Sequence, residues 1–93
     1  MIDVVNYIKA HKGVPVSSRK LAEAFRVDTI DIRRVINTAR TWGYPICSNS
    51  KGYYYSEDKE EVKKTIKSLT HRIEGIQKAI NGLTDYVGGV YEV

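Results

Sequence analysis

Ninety-three residues, 42 % of them hydrophobic and 28 % charged, make one small domain with room for one appended element. A chain this short buries a modest core and lacks the mass for a roomy enzyme cleft. The formal net charge of +4 is uneven: residues 1–56 hold nine Lys and Arg against four acids, and residues 57–93 hold six against seven, so the positive field belongs to the first part.

An apolar face of Val4, Val5 and Ile8 predicts a first helix over residues 2 to about 11, stopped at Gly13. Val14-Pro15-Val16 is long enough only for a minimal strand, and Pro15 suits an edge. Ser17 is a good N-cap for a second helix, residues 18 to about 25, that buries Leu21, Ala22 and Phe25. Asp28 caps a third, residues 29 to about 42, with Gly43 at its C′ position. At about 100° per residue, Ile32, Val35, Ile36 and Ala39 of this third helix form a core-facing stripe. Ile30, Arg34, Asn37 and Thr41 point the other way, with Arg33 and Arg40 along one flank. These are side chains that read base edges: Arg to guanine, Asn to adenine, an aliphatic or Thr methyl to thymine. A plain solvated face is the competing reading, but an outward row of this composition is unusual for one.

After Gly43, the β-prone runs YPICS (44–48) and YYYS (53–56) flank the polar loop NSKG (49–52), a hairpin signal. Alternation puts Tyr53 and Tyr55 on one face and Tyr54 on the other. The expectation is that Tyr53 and Tyr55 bury against the third helix, leaving Tyr54 and Lys51 toward solvent or phosphate.

Leu21-Ala22 in the second helix, Phe25 and Val27 around the turn, Ile32 and Val35 in the third helix, and the ending GYPI…KGYYY carry a resemblance. Residues 14–56 resemble the winged helix-turn-helix modules of the biotin-operon-repressor type, and the whole chain looks like short phage or prophage DNA-binding proteins. The resemblance implies that the third helix and the strand-loop-strand wing face DNA together, which falls here on Arg33, Arg34, Asn37 and Lys51. In one place the chain departs from the family: Arg26 occupies a turn position where the family usually has glycine. It must adopt positive φ or reshape the turn, at a cost of about 1 kcal/mol.

From Asp58 the pattern changes. Asp58-x-x-Glu61 resembles a capping box, and Glu60 and Glu61 suit the positive end of a helix dipole. Val62, Ile66, Leu69, Ile73, Ile76, Ile80, Leu83 and Val87 then alternate spacings of four and three, a heptad seam with Ile66, Ile73, Ile80 and Val87 at a. The flanking e and g positions (Thr65, Thr70, Arg72, Gln77, Ala79, Thr84, Tyr86) are mostly uncharged, so charge does not fix how helices pair. The seam spans roughly 39 Å at about 1.5 Å per residue. It needs a cover: a parallel coiled coil, an antiparallel pair or larger bundle, or the helix's own head, which is too small to cover it all. Gly75 and Gly82 weaken the helix by about 1 kcal/mol each without breaking the seam. Gly88-Gly89 should end it, with residues 90–93 frayed.

Cys47 is the only cysteine, which excludes an intramolecular disulfide and fits a reducing cytoplasm. No apolar run approaches about 18 residues and no signal-peptide core opens the sequence, so a cytoplasmic protein with no membrane partner is expected. His11 and His71 lie in different elements with no cysteine cluster, and phosphate-loop and nucleophile-elbow motifs are absent, so no metal, cofactor or enzymatic activity is expected.

These features predict a mainly α fold with a small β-hairpin: a winged helix-turn-helix domain over 1–56 and a C-terminal coiled-coil dimerisation helix over 57–93. The expected function is a double-stranded DNA-binding regulator of phage type, acting in transcription, excision or replication as a homodimer or higher oligomer. Arg33, Arg34 and Asn37 would meet bases or adjacent phosphates, and Ile30 a thymine methyl. Arg19, Arg40 and Lys51 would hold the backbone, and Ser18, Thr29, Thr41 and Tyr54 complete the surface. The alternative is a protein-interaction module, such as a phage-encoded inhibitor of a host protein on a winged-helix scaffold. The charge split favours DNA; Asp28 and Asp31 beside the recognition face argue against it.

Overall fold

The computed structural model describes residues 1–88. In chain order its elements are α1 (Ile2–Ala10), α2 (Ser18–Phe25), α3 (Thr29–Thr41), β1 (Ile46–Asn49), β2 (Gly52–Tyr55) and α4 (Lys59–Val87). The architecture is mainly helical, with a two-stranded antiparallel hairpin and a long C-terminal helix.

One core holds the first five elements together. Val4, Val5 and Ile8 of α1, Leu21 and Ala22 of α2, and Ile32, Ile36 and Ala39 of α3 are buried with Val16 and Ile46. These are the apolar positions that helical periodicity singles out. Phe25 and Val35, expected inside, are only half-buried at its margin, and the Phe25 ring meets Tyr7 edge-on at 5.5 Å.

The helix ends follow local chemistry. Ser17 accepts the Lys20 N–H at 3.1 Å and caps α2. A reciprocal capping box opens α3: the Asp28 carboxylate accepts the Asp31 N–H at 3.0 Å, and Asp31 accepts the Asp28 N–H at 3.4 Å. Between these helices Arg26 takes the left-handed conformation, φ +54°, so the turn keeps its shape and the non-glycine residue bears the strain. The box expected at the start of α4 does not form. Asp58 caps the Glu60 N–H instead, at 3.0 Å, and the Glu61 carboxylate turns to Tyr54.

The hairpin pairs Ile46 with Tyr55, Cys47 with Tyr54, Ser48 with Tyr53 and Asn49 with Gly52. Val16 joins the far edge of β2 through one antiparallel bridge, exchanging two 2.8 Å hydrogen bonds with Tyr53. This is the minimal edge strand its length allowed. The bridge dictates Gly52: φ is +144° there, and a Cβ would run into the backbone of Val16. The tyrosine alternation holds, but its destinations need correcting. Tyr53 faces α3, where the Arg40 guanidinium lies 5.8 Å from its ring centroid. Tyr55 instead lies under Lys9 of α1, at 5.1 Å, because β2 is the middle strand and crosses over α1.

α4 leaves this core quickly. Thr65 is its one buried residue among those described, Glu61, Val62 and Leu69 are half-buried, and residues 70–83 are all exposed. The helix therefore does not fold back over its head, and the apolar stripe from Ile66 to Val87 faces solvent, with Ile73 67 % and Leu83 69 % accessible. Gly75 and Gly82 are absorbed without interruption, and Gly88, at φ +119°, caps the end. Gly89 and the expected fraying of residues 90–93 lie outside the described residues.

Replacing Gly52 with Ala should cost about 1–3 kcal/mol, since it forces a side chain into a positive-φ site against backbone. Gly82→Ala, in open space on α4, should instead stabilise by about 1 kcal/mol. Denaturant unfolding of the two variants beside the native chain reads both signs.

Candidate nucleic-acid interface

The outer edge of β1 has no strand beside it, so its polar groups need other partners. Two helices supply them. Arg40 of α3 donates from Nε to the Ile46 carbonyl at 2.8 Å and from Nη2 to Ser48 Oγ at 3.2 Å. Thr65 of α4 accepts the Ser48 N–H at 3.1 Å. One turn earlier on α4, Tyr54 donates its phenol proton to Glu61 at 2.6 Å, a short charge-assisted bond. This stronger partner explains why Glu61 does not reach back to its helix N-terminus. The bond pushes the Tyr54 phenol up to about 12 and holds the Glu61 carboxyl below its ordinary value, with Lys64 adding to the effect.

These contacts fix three walls, α3, the hairpin and α4, around an open cleft of about 830 Å³. Arg33, Arg40, Lys51 and Arg72 line it, and no Asp or Glu does. The remaining lining is mostly hydroxyl and amide: Ser17 and Ser18 at the start of α2, Asn37, Ser48, Asn49, Ser50 and Ser68. The loop that carries Lys51 is shaped by Asn49, whose side-chain oxygen accepts the N–H groups of Lys51 at 2.8 Å and Gly52 at 3.2 Å. Among the described residues none of the four cations has a carboxylate partner. Burial pulls the Arg40 guanidinium below its ordinary value; Tyr53 and Cys47 act against this, and the charge of Arg72 adds to it.

The residues expected at a DNA surface divide into three groups. Ser18, Arg33, Asn37, Arg40 and Lys51 line the cleft. Ile30, Arg34 and Thr41 are exposed on the outward face of α3, Thr29 is half-buried at its first turn, and Arg19 is exposed on α2. Two of the expected residues are also engaged within the fold. Arg40, half-buried, commits two of its nitrogens to β1. Tyr54, also half-buried, gives its hydroxyl proton to Glu61 of α4. Thr41 also uses its hydroxyl locally, donating to the Asn37 carbonyl at 2.9 Å, which leaves its methyl group to the surface.

Arg72 and Ser68 are the lining residues that periodicity did not bring forward, since Arg72 reads as a flank of the heptad seam. Their signal is the row Glu61, Thr65, Ser68 and Arg72, spaced four, three and four along one side of α4. Among the described residues no three His, Cys, Asp or Glu side chains converge as metal ligands would, and no helix is long and apolar enough to cross a membrane. Comparison of the chain with protein-family models, curated proteins and solved structures returned no match.

The Tyr54–Glu61 bond makes a pH prediction whose sign follows from the two shifts. A raised phenol stabilises the fold fully below its ordinary value of 10.0, and this contribution is lost as pH climbs toward about 12. A depressed carboxyl contributes above its ordinary 4.5 and is lost as pH falls below it. In an absorbance-monitored titration, one of the seven tyrosines should ionise late, near about 12. Glu61→Gln should return that tyrosine toward the ordinary range.

Proposed function

We propose that this chain is a double-stranded DNA-binding protein of winged helix-turn-helix build, acting as a phage-type regulator, with α3 as the groove-reading helix and the β1–β2 hairpin as the wing. What carries the reading is the cleft between α3 and the hairpin, where Arg33, Arg40, Lys51 and Arg72 gather without a carboxylate among the lining residues. Unbalanced positive charge in a concave, hydroxyl-rich site suits the phosphate backbone, whose neutralisation releases counterions. Asn37 at the cleft, and Arg34 and Ile30 beside it on the exposed face of α3, the last 56 % accessible, offer base-edge readers. Asp28 and Asp31 weaken the argument less than their sequence positions suggest, because each caps the other's backbone at the start of α3.

The second part of the proposal is that two copies pair through α4. Ile66, Ile73, Ile76, Ile80, Leu83 and Val87 stay at least half exposed along one stripe. Covering each recovers about 1 kcal/mol or more, and a second copy offers a stripe of matching length and period. A protein-interaction module remains the second reading. The observation in its favour is Trp42, 72 % accessible at the end of α3 and outside the cleft, since exposed tryptophan is a typical anchor for protein partners.

Two experiments test these parts. Arg33→Glu with Arg34→Glu reverses two exposed charges of α3 outside the core. Circular dichroism should be unchanged, while duplex binding in a mobility-shift assay collapses; retained binding would remove α3 from the interface. Ile73→Asp with Ile80→Asp places charge in the middle of the stripe and should cost several kcal/mol of association. Sedimentation should show the native chain as a dimer at micromolar concentration and this variant as a monomer. A native monomer would end the pairing proposal.

A further inference from the structure

α4 does more in this fold than present an apolar stripe. A flank beside that stripe lines the cleft with Ser68 and Arg72, across from Arg33 of α3 and Lys51 of the hairpin. We infer that this flank is the third wall of a phosphate seat, in which Arg72 holds the same stretch of DNA backbone that Arg33 and Lys51 hold from the other sides. The inference rests on the DNA-binding reading and adds to it a residue from outside the winged-helix head.

Among the described residues Arg72 is the one cation of α4 that lines the cleft. Elsewhere on the helix Lys63 and Lys64 are each paired one turn back, with Glu60 at 3.4 Å and Glu61 at 3.6 Å, while Lys67 and Lys78 are exposed and make no ion pair among the described residues. Arg72, facing the cleft, has no carboxylate partner among the described residues and points its charge toward a cavity that already holds Arg33, Arg40 and Lys51. Like charges in one concave site repel, and the repulsion is felt at Arg40, whose guanidinium is disfavoured first by burial and further by Arg72. An anion between these groups converts the repulsion into attraction. The groups around them suit phosphodiester oxygens: Ser18, Ser48, Ser50 and Ser68 are short donors, and Tyr53, the one aromatic side chain of the lining, is half-buried beneath Arg40. The seat therefore takes backbone rather than bases, and it supplies affinity without sequence preference.

The test is the salt dependence of binding to random-sequence duplex DNA by four full-length chains: native, Arg72→Ala, Arg72→Lys and Lys78→Ala. Lys78 lies on the same helix, about 120° around from Arg72 at 100° per residue, and removing it changes net charge equally. The expected result is a slope shallower by about one unit for Arg72→Ala, near-native for Arg72→Lys, and native for Lys78→Ala. If Arg72→Ala keeps the native slope, or if Lys78→Ala flattens it as much, the seat is overturned while salt-dependent binding by the native chain leaves the DNA-binding reading standing. If the native chain binds no duplex, that reading falls and the seat falls with it.

Discussion

The open edge of β1 is the constraint on which the arrangement of this molecule depends. A two-stranded hairpin is marginal alone, and its outer strand leaves backbone groups that must be satisfied. Val16 covers the far side of β2, so only β1 remains open, and it is closed by side chains rather than by another strand. Arg40 takes the Ile46 carbonyl and Thr65 takes the Ser48 N–H, two residues apart on the same edge. One contact ties α3 to the hairpin and the other ties α4 to it. The cleft is the space these two contacts leave between them.

This origin explains the cleft's chemistry. Arg40 is needed at the strand edge, so one guanidinium is half-buried at the base of the cleft whatever else lines it. No carboxylate lines the cleft to offset that charge. Here the neighbours are instead Arg33, Lys51 and Arg72. Accumulating cations around a guanidinium already disfavoured by burial makes sense when the missing negative charge arrives with a ligand, which is the physical basis for reading the site as a backbone interface.

Much of the fold was legible in the sequence because it is local or periodic. Ser17 and Asp28 cap where short polar side chains before apolar runs should, and Ile32, Ile36 and Ala39 are buried where a 3.6-residue period puts them. Even the minimal strand at Val16 followed from its length and its proline. What was not legible is which long-range partner each polar side chain takes. Arg40 and Tyr54 were readable as surface groups on their own elements, yet each bonds across to a different element. Glu61 had a local role open to it and left it for a phenol, since a 2.6 Å charge-assisted bond outweighs a weak capping contact. Arg72 was hidden for a related reason: its spacing from Glu61, Thr65 and Ser68 puts it on one side of α4, but only the two bonds to the hairpin make that side a cleft wall.

Thr65 sets the rotation of α4. A helix packed by one side could turn about its axis, and a shift of one residue would move each side chain by about 100°. The buried hydroxyl of Thr65 on Ser48 and the Glu61 carboxylate on Tyr54 hold two points of one flank against the hairpin. With that flank fixed, Ser68 and Arg72 must follow it along the cleft, and Ile66, Ile73 and Ile80 must face outward. The same two contacts therefore decide both which side chains the helix gives to the cleft and which it leaves exposed. Rotating α4 to bury more of its apolar stripe against the head would break both bonds and withdraw Arg72 from the cleft. The stripe consequently stays uncovered within a single chain, except at Val62 and Leu69, which the head half-covers.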